Sequence, residues 1–445
     1  MNEKMKPSGI AWIGDIPVDW DVERIKYVIQ NNADGIKVGP FGSALTNEVV
    51  SSDEGQYKVY GQANLIRKDF ESGDNYVTEK NYRRLLNYEV LPDDIAVSMM
   101  GTIGKCSVVP YGIKPGIMDS HLIKIRLSSK MIPHYFEYVY ESCVVYEQLI
   151  LNSKGSIMNG LNSMIVKGVY FTVPPIIEQQ SIVDYLDTQC AKIDSVIADI
   201  KKQIDTLQKY KKSLITETVT KGLDHSVSMK DSGCKWVSHI PEHWKIKRFK
   251  YLCDYITDGS HFSPETVDDG YPYITAADVR GVGLDYQSAK KISNQDFIAL
   301  QKTGCQPIVG DVLLVKDGAT TGRVGMVTSD YPCVVLSSVA ILRAPERMDC
   351  RYLRYLMESE FIQSQIQASM AGSAMPRTVL SKIVNYLGIE CPKEEQIKIC
   401  DYLDVKCTNI DNVLLMKEKQ LESITQHKRS LIYEYVTGKK RVEVN

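Results

Sequence analysis

Pro175-Ile176-Ile177-Glu178-Gln179-Gln180-Ser181-Ile182-Val183-Asp184-Tyr185-Leu186-Asp187 returns 217 residues later as Pro392-Lys393-Glu394-Glu395-Gln396-Ile397-Lys398-Ile399-Cys400-Asp401-Tyr402-Leu403-Asp404, with eight of thirteen positions identical. Each copy opens on proline, which a helix tolerates in its first turn because the missing N–H has no partner there anyway. Beyond the first copy, apolar residues fall at Leu186, Cys190, Ile193, Ile197, Ile200, Ile204, Leu207 and Leu214, spaced 4, 3, 4, 3, 4, 3 and 7. This spacing is a heptad seam, with Lys211 at the skipped position and Lys201, Lys202, Asp205 and Lys209 on its flanks. The second copy repeats it with Leu403, Cys407, Ile410, Leu414, Leu421, Ile424 and Leu431, interrupted by Lys417. A lone helix of ~40 residues would be ~60 Å long and would leave its seam in water. Two such helices in one chain are expected to pair with each other, the alternative being a helix of another protein. An approximate twofold axis between the copies would make the pair antiparallel. The globular segments would then sit at opposite ends of a stiff rod.

The duplication reaches further. Ser8-Gly9-Ile10-Ala11-Trp12-Ile13-Gly14-Asp15-Ile16-Pro17-Val18-Asp19-Trp20 returns as Ser232-Gly233-Cys234-Lys235-Trp236-Val237-Ser238-His239-Ile240-Pro241-Glu242-His243-Trp244, six identities in thirteen at an offset of 224. Lys211-Lys212-Ser213-Leu214-Ile215-Thr216-Glu217 and Lys428-Arg429-Ser430-Leu431-Ile432-Tyr433-Glu434 keep the offset of 217. The difference, 224 − 217 = 7 residues, falls within the intervening segments, which mostly do not match. A repeat this long marks a duplicated domain pair rather than a solenoid of small units. The plan is an α+β chain with pseudo-twofold duplication. A first globular domain covers residues 1–170, a helix 171–222, a second domain 223–387 and a second helix 388–445. Within the domains, segments 21–165 and 245–380 read as mixed strands and loops. Short β-branched runs such as Asp94-Ile95-Ala96-Val97-Ser98 and Asp311-Val312-Leu313-Leu314-Val315 are separated by turn residues.

The 445 residues, 44% hydrophobic and 24% charged, have an ordinary globular composition. No apolar run approaches the ~18 residues of a membrane span, and the opening Met1-Asn2-Glu3-Lys4-Met5-Lys6-Pro7 lacks the apolar core of a secretory signal. Eleven scattered cysteines suggest free thiols in a reducing cytoplasm rather than disulfides or a metal site. The net charge of −2 does not announce a nucleic-acid partner, although the distribution of lysine and arginine matters more than their sum.

Catalytic signatures are missing: there is no methyl-donor glycine fingerprint, Walker sequence or HExxH. Gly101-Thr102-Ile103-Gly104-Lys105 lacks phosphate-loop spacing, and either an ordinary hairpin or a DNA-facing loop would account for it. Val173-Pro174-Pro175-Ile176 reads as a helix start rather than a methyltransferase motif. Trp12, Trp20, Trp236 and Trp244 lie in the repeated frame, where packing explains them better than base stacking. The cluster Lys209-Tyr210-Lys211-Lys212 reads as a solvated helix face. His261 suits a loop hydrogen bond better than a metal.

Together, the Trp–Ile-Pro–Trp segment, the Pro…Glu-Gln…Ile-x-x-Tyr-Leu-Asp helix start and the two-copy layout closely resemble the specificity subunit of type I restriction–modification enzymes. Gly39-Pro40-Phe41-Gly42-Ser43 and Asp258-Gly259-Ser260-His261-Phe262-Ser263-Pro264-Glu265 resemble that family's opening recognition loops. Gly101–Lys105 and Gly318-Ala319-Thr320-Thr321-Gly322-Arg323 resemble its central glycine hairpin. The resemblance implies two target-recognition domains, each reading half of a split double-stranded DNA site, held apart by antiparallel spacer helices. It also implies two modification subunits that methylate adenine N6, and restriction subunits that translocate and cleave. S-adenosylmethionine, ATP and Mg would then reside on those partners and no cofactor on this chain.

Bases are read by side chains delivered into a groove and phosphates by cations or backbone N–H groups. The DNA-contacting candidates are therefore Lys37, Phe41, Ser43, Gln62, Asn64, Ser98, Thr102, Gly104 and Lys105 in the first copy. In the second they are Ser260, His261, Ser263, Lys316, Thr320, Thr321 and Arg323. The coiled-coil candidates are Ile193, Ile197, Ile200, Ile204, Leu207 and Leu214 against Ile410, Leu414, Leu421, Ile424 and Leu431. Two rival functions remain at this point: a coiled-coil adaptor without a DNA role, and a self-contained methyltransferase or nuclease with duplicated recognition domains.

Overall fold

A computed structural model describes residues 4–31, 35–40, 44–45, 56–153, 160–370 and 376–442. The chain forms two compact units, one of residues 1–200 with 420–445 and one of residues 201–419.

In the first unit, β-branched runs build a four-stranded antiparallel sheet in the order Ile36–Val38, Leu122–Ile125, Ile95–Ser98, Cys106–Val108. A second sheet orders Tyr76–Val77, Tyr57–Tyr60 and Gly116–Met118. Asp21–Arg24 pairs with Tyr170–Val173, so the ends of the module meet in one ribbon. The helices Pro133–Glu141 and Cys143–Ser153, which the sequence reading did not anticipate, close the core around Trp20, Val97, Phe136 and Leu149.

The second unit repeats this with a five-stranded sheet in the order Tyr255–Asp258, Val339–Arg343, Val312–Val315, Val324–Met326, Gly281–Val282. A four-stranded sheet orders Thr266–Val267, Lys290–Ile292, Tyr271–Ile274 and Val334–Val335, and Lys245–Arg248 pairs with Leu387–Glu390. The helices Cys350–Glu358 and Glu360–Ser369 pack on its core.

The two copies repeat individual bonds. Arg126 grips Asp94 with two nitrogens at 2.7 and 2.9 Å, and Arg343 grips Asp311 at 2.8 Å twice. Gln148 bonds both backbone groups of the strand start at Tyr170, as Gln365 does at Leu387. Trp20 and Trp244 are fully buried and donate from Nε1 to Glu178 and Glu395, each at 2.9 Å. Trp12, by contrast, is 39% exposed, and Trp236 is half-buried, so frame packing explains only part of the tryptophan set.

The long helices run Ile176–Lys221 and Lys393–Val436, each beginning one residue after its proline. Their segments pair antiparallel inside each unit. In the first, Asp194 meets Lys428 at 2.6 Å while the tilted rings of Tyr185 and Tyr435 pack with centroids 4.5 Å apart. In the second, Lys211 meets Asp411 at 2.6 Å, and Ile215 and Val219 share a core with Leu403 and Cys407. Lys211 and Lys428 each occupy a seam position that lacks an apolar residue, and each makes an ion pair across the helices. Ile200, Ile410 and Leu431 are buried, and Ile193, Ile197, Ile204, Leu207, Leu214, Leu414, Leu421 and Ile424 are half-buried. The fold is therefore mixed α/β, with two related recognition-type modules and two long helices joined in an antiparallel coiled coil.

Each unit is completed by the far end of the other copy's helix. Tyr135 Oη lies 3.4 Å from the carbonyls of Thr172 and Val436, and Tyr352 Oη lies 3.3 and 3.4 Å from those of Ile389 and Val219. Position 436 is 219 shifted by 217, so the duplicated bond closes both units in the same way.

Candidate nucleic-acid interface

The glycine hairpin of each unit joins two neighbouring strands, Ile95–Ser98 to Cys106–Val108 and Val312–Val315 to Val324–Met326. Gly104 and Gly322 have φ of 84° and 94°, a region a side chain rarely adopts. They also lie against a helix: a Cβ would come within 2.6 Å of Tyr146 at Gly104 and of Gln363 at Gly322. The Lys105 N–H bonds to the Thr102 carbonyl at 3.3 Å, and the Arg323 N–H bonds to the Thr320 carbonyl at 3.0 Å. The hairpins are thus aligned, with Thr102 over Thr320 and Lys105 over Arg323.

Their surroundings differ. In the first unit Gln62 Nε2 reaches Ser98 Oγ at 2.6 Å, Thr102 Oγ1 at 2.7 Å and the Met100 carbonyl. Strand registers place Tyr60 opposite Met118 and Ile274 opposite Val335, so the second unit carries Ala276 where the first has Gln62. It carries Val315 where the first has Ser98. The three polar candidates Gln62, Ser98 and Thr102 therefore form one group, present in one copy.

Lys105 is 54% exposed, with Glu141 3.5 Å away. Lys37 lies on its strand with its ammonium 5.8 Å from the Tyr88 ring. Arg323 is half-buried and lines a groove of about 990 Å³ together with Thr321, Lys211, Lys212, Glu358, Glu360 and Asp411. Hence Lys211 is not simply part of a solvated face. His261 is 71% exposed with Asp258 at 3.3 Å, and Ser263 is exposed. Phe41 and Ser43 lie outside the described residues.

Other candidates are committed to the protein itself. Asn64 accepts from the Gly61 N–H at 3.0 Å and donates to the carbonyls of Asp69 and Ser72, which shapes a turn. Lys316 is 3% exposed, with Asp258 at 3.2 Å and Asp317 at 3.4 Å, so its charge is compensated internally. Ser260 is buried and bonds both backbone groups of Phe262. Thr321 Oγ1 donates to the carbonyls of Gly318 and Pro376, which fastens the second hairpin. Asp119, absent from the sequence-derived candidates, turns its carboxylate to Gly61 beside Gln62; burial pushes its carboxyl up, against the opposing N–H of His121. Its counterpart in the strand register is Leu336, so a polar-for-apolar contrast between copies was the signal available.

Among the described residues no cluster of metal ligands occurs, and no helix is long and apolar enough to cross a membrane. Residues 38–206 and 241–426 match the sequence profile of the type I restriction modification DNA specificity domain. The chain is similar to the specificity subunit of type I restriction enzyme MjaVIII from Methanocaldococcus jannaschii, 24% identical over 96% of this chain and 94% of that protein. It is also similar to the EcoBI specificity subunit of Escherichia coli, 25% identical over 60% of this chain and 55% of that one. A chain from a solved type I R-M system matches with a TM-score of 0.66 at 14% identity, covering 96% of this chain and 99% of that one, a likeness of fold. With two matched stretches spanning most of its length, the chain belongs to the family of type I restriction–modification DNA specificity subunits.

Proposed function

We propose that this chain reads a bipartite, asymmetric site on double-stranded DNA, one half with each recognition module, within a type I restriction–modification complex. Specificity subunits supply recognition while catalysis belongs to other subunits, consistent with the missing catalytic motifs. One observation carries the two-part reading. The frame bonds recur at a fixed offset, whereas the residues around the hairpins change from Gln62 and Ser98 to Ala276 and Val315. A scaffold conserved between copies, with different polar groups at equivalent places, suits two half-sites of different sequence.

In this reading the exposed Lys105 and half-buried Arg323 contact phosphates, and the polar group around Gln62 contacts bases. The paired helices set the gap between the halves, as dimer geometry sets half-site spacing in other DNA binders. Two modification subunits that methylate adenine N6 dock on this scaffold and carry S-adenosylmethionine; restriction subunits carry ATP and Mg. Replacing segment 21–165 by that of another family member tests the assignment. The expected outcome is a methylated site altered in one half only, with the other half and the gap retained. Changes in both halves, or methylation by the purified chain with methyl donor alone, would reject it.

A further inference from the structure

The Gln62 side chain has one end tied and one end open. Its Nε2 reaches Ser98 Oγ, Thr102 Oγ1 and the Met100 carbonyl. A carbonyl only accepts, so the nitrogen and not the oxygen of the amide faces it. Both N–H donors are engaged by these three acceptors. Among the described residues no group donates to Oε1, and Gln62 is half-buried rather than sealed. A glutamine that reads adenine in the familiar bidentate way uses both ends of its amide. This one has only its acceptor to offer.

We propose that Gln62 is a specificity-determining residue of one half-site that recognises an exocyclic amino group, adenine N6 or cytosine N4, through Oε1 alone. The inference rests on the DNA-reading function proposed above. In the major groove those amino groups are the donors, whereas guanine O6 and thymine O4 would meet Oε1 lone pair to lone pair. Tethering Nε2 fixes the amide before binding, so little side-chain freedom is lost on contact. The tether is no requirement of the common frame, because Ala276 and Val315 stand at the equivalent places in the second unit. Ser98, fully buried at the end of a strand, is a polar choice that, among the described residues, bonds through its side chain to Gln62, Thr102 and the Met100 carbonyl.

The test uses the complex of this chain with its modification subunits and duplexes carrying its site. Purine for adenine, or 2-pyrimidinone for cytosine, removes one amino group at a time. Wild type should lose roughly tenfold in affinity at one position of one half-site, within the usual cost of a mismatched base pair. Gln62→Ala should bind more weakly and no longer respond to that same removal. Gln62→Met, which keeps the length but neither hydrogen-bonding end, should match Ala and controls for the lost bulk. A variant that weakens every duplex alike and still responds to the removal would overturn the proposal, leaving Gln62 as a positioning residue only. So would a sequence-specific wild type that is indifferent to every amino group in that half. A wild-type complex without any sequence preference would instead overturn the DNA-reading function, a separate result.

Discussion

Glu178→Ala and Glu395→Ala are the same substitution at equivalent places, and the structure makes their costs unequal. The Glu178 carboxylate is 8% exposed. It accepts from Trp20 Nε1 at 2.9 Å, from Arg441 Nε at 2.7 Å and from Arg441 Nη2 at 2.6 Å. The Glu395 side chain is 36% exposed, bonded to Trp244 Nε1 at 2.9 Å, with His243 Nε2 2.7 Å away. Removing either carboxylate strands a buried indole N–H, which costs about 1–3 kcal/mol. At Glu178 it also breaks a largely desolvated arginine pair, for which losses of about 3–5 kcal/mol are typical when both partners are fully buried. Arg441 is 28% exposed, so part of that loss is recovered by water. A total of about 3 kcal/mol at Glu178 against about 1 kcal/mol at Glu395 follows. The difference of ~2 kcal/mol is roughly 30-fold in a local opening equilibrium. Native-state hydrogen exchange should show it as faster exchange at residues 178–186 in the first variant than at 395–403 in the second. Equal acceleration in the two units, or more in the second, would refute the reasoning.

The seam ion pairs Lys211–Asp411 and Lys428–Asp194 should each show a coupling of ~0.5–1 kcal/mol in charge-swap double-mutant cycles, and nearly the same value in both units. A coupling indistinguishable from zero in urea titrations would remove their role as seam elements. Deleting one heptad from both long helices shortens the pair by roughly 10 Å, about three base pairs of DNA, and should change or abolish the tolerated gap while leaving both half-sites unaltered. Methylome sequencing reads this directly, and changed half-site bases with an unchanged gap would contradict it. The hydrogen bond of His134 to Glu137 raises the imidazole above its ordinary 6.5. The stability it contributes is therefore complete below pH 6.5 and lost as pH rises through the raised value. An NMR titration should show a midpoint above 6.5 that falls back in Glu137→Gln.

The duplication, the long helices and their antiparallel seam were legible because helical period and repeat survive in a single sequence. The strands Ile95–Ser98 and Val312–Val315 were legible as short β-branched runs. The helices Pro133–Glu141 and Cys143–Ser153 were not; on Cys143–Ser153 the exposed face carries Tyr146 and Leu151 and the buried face carries Gln148 and Ser153, which leaves little amphipathic contrast. Within the candidate interface, residue type alone did not separate partners from solvent. Lys316 reads as a free cation until Asp258 folds against it, and Asn64 as a base reader until its amide meets Asp69 and Ser72. Lys211 reads as an interruption of the seam, yet across the helix pair it is one of its bonds. Such roles depend on partners from 5 to 200 positions away that only the folded turn, sheet or helix pair brings together, which residue type alone does not carry.

The central claim is that two different modules read two different half-sites. Methylome sequencing of cells expressing this chain with its modification subunits tests it most directly. The account predicts methylated adenines in one motif made of two unlike half-sites separated by a fixed gap of unspecified bases. An uninterrupted motif, two identical halves, or no methylated motif at all would contradict it.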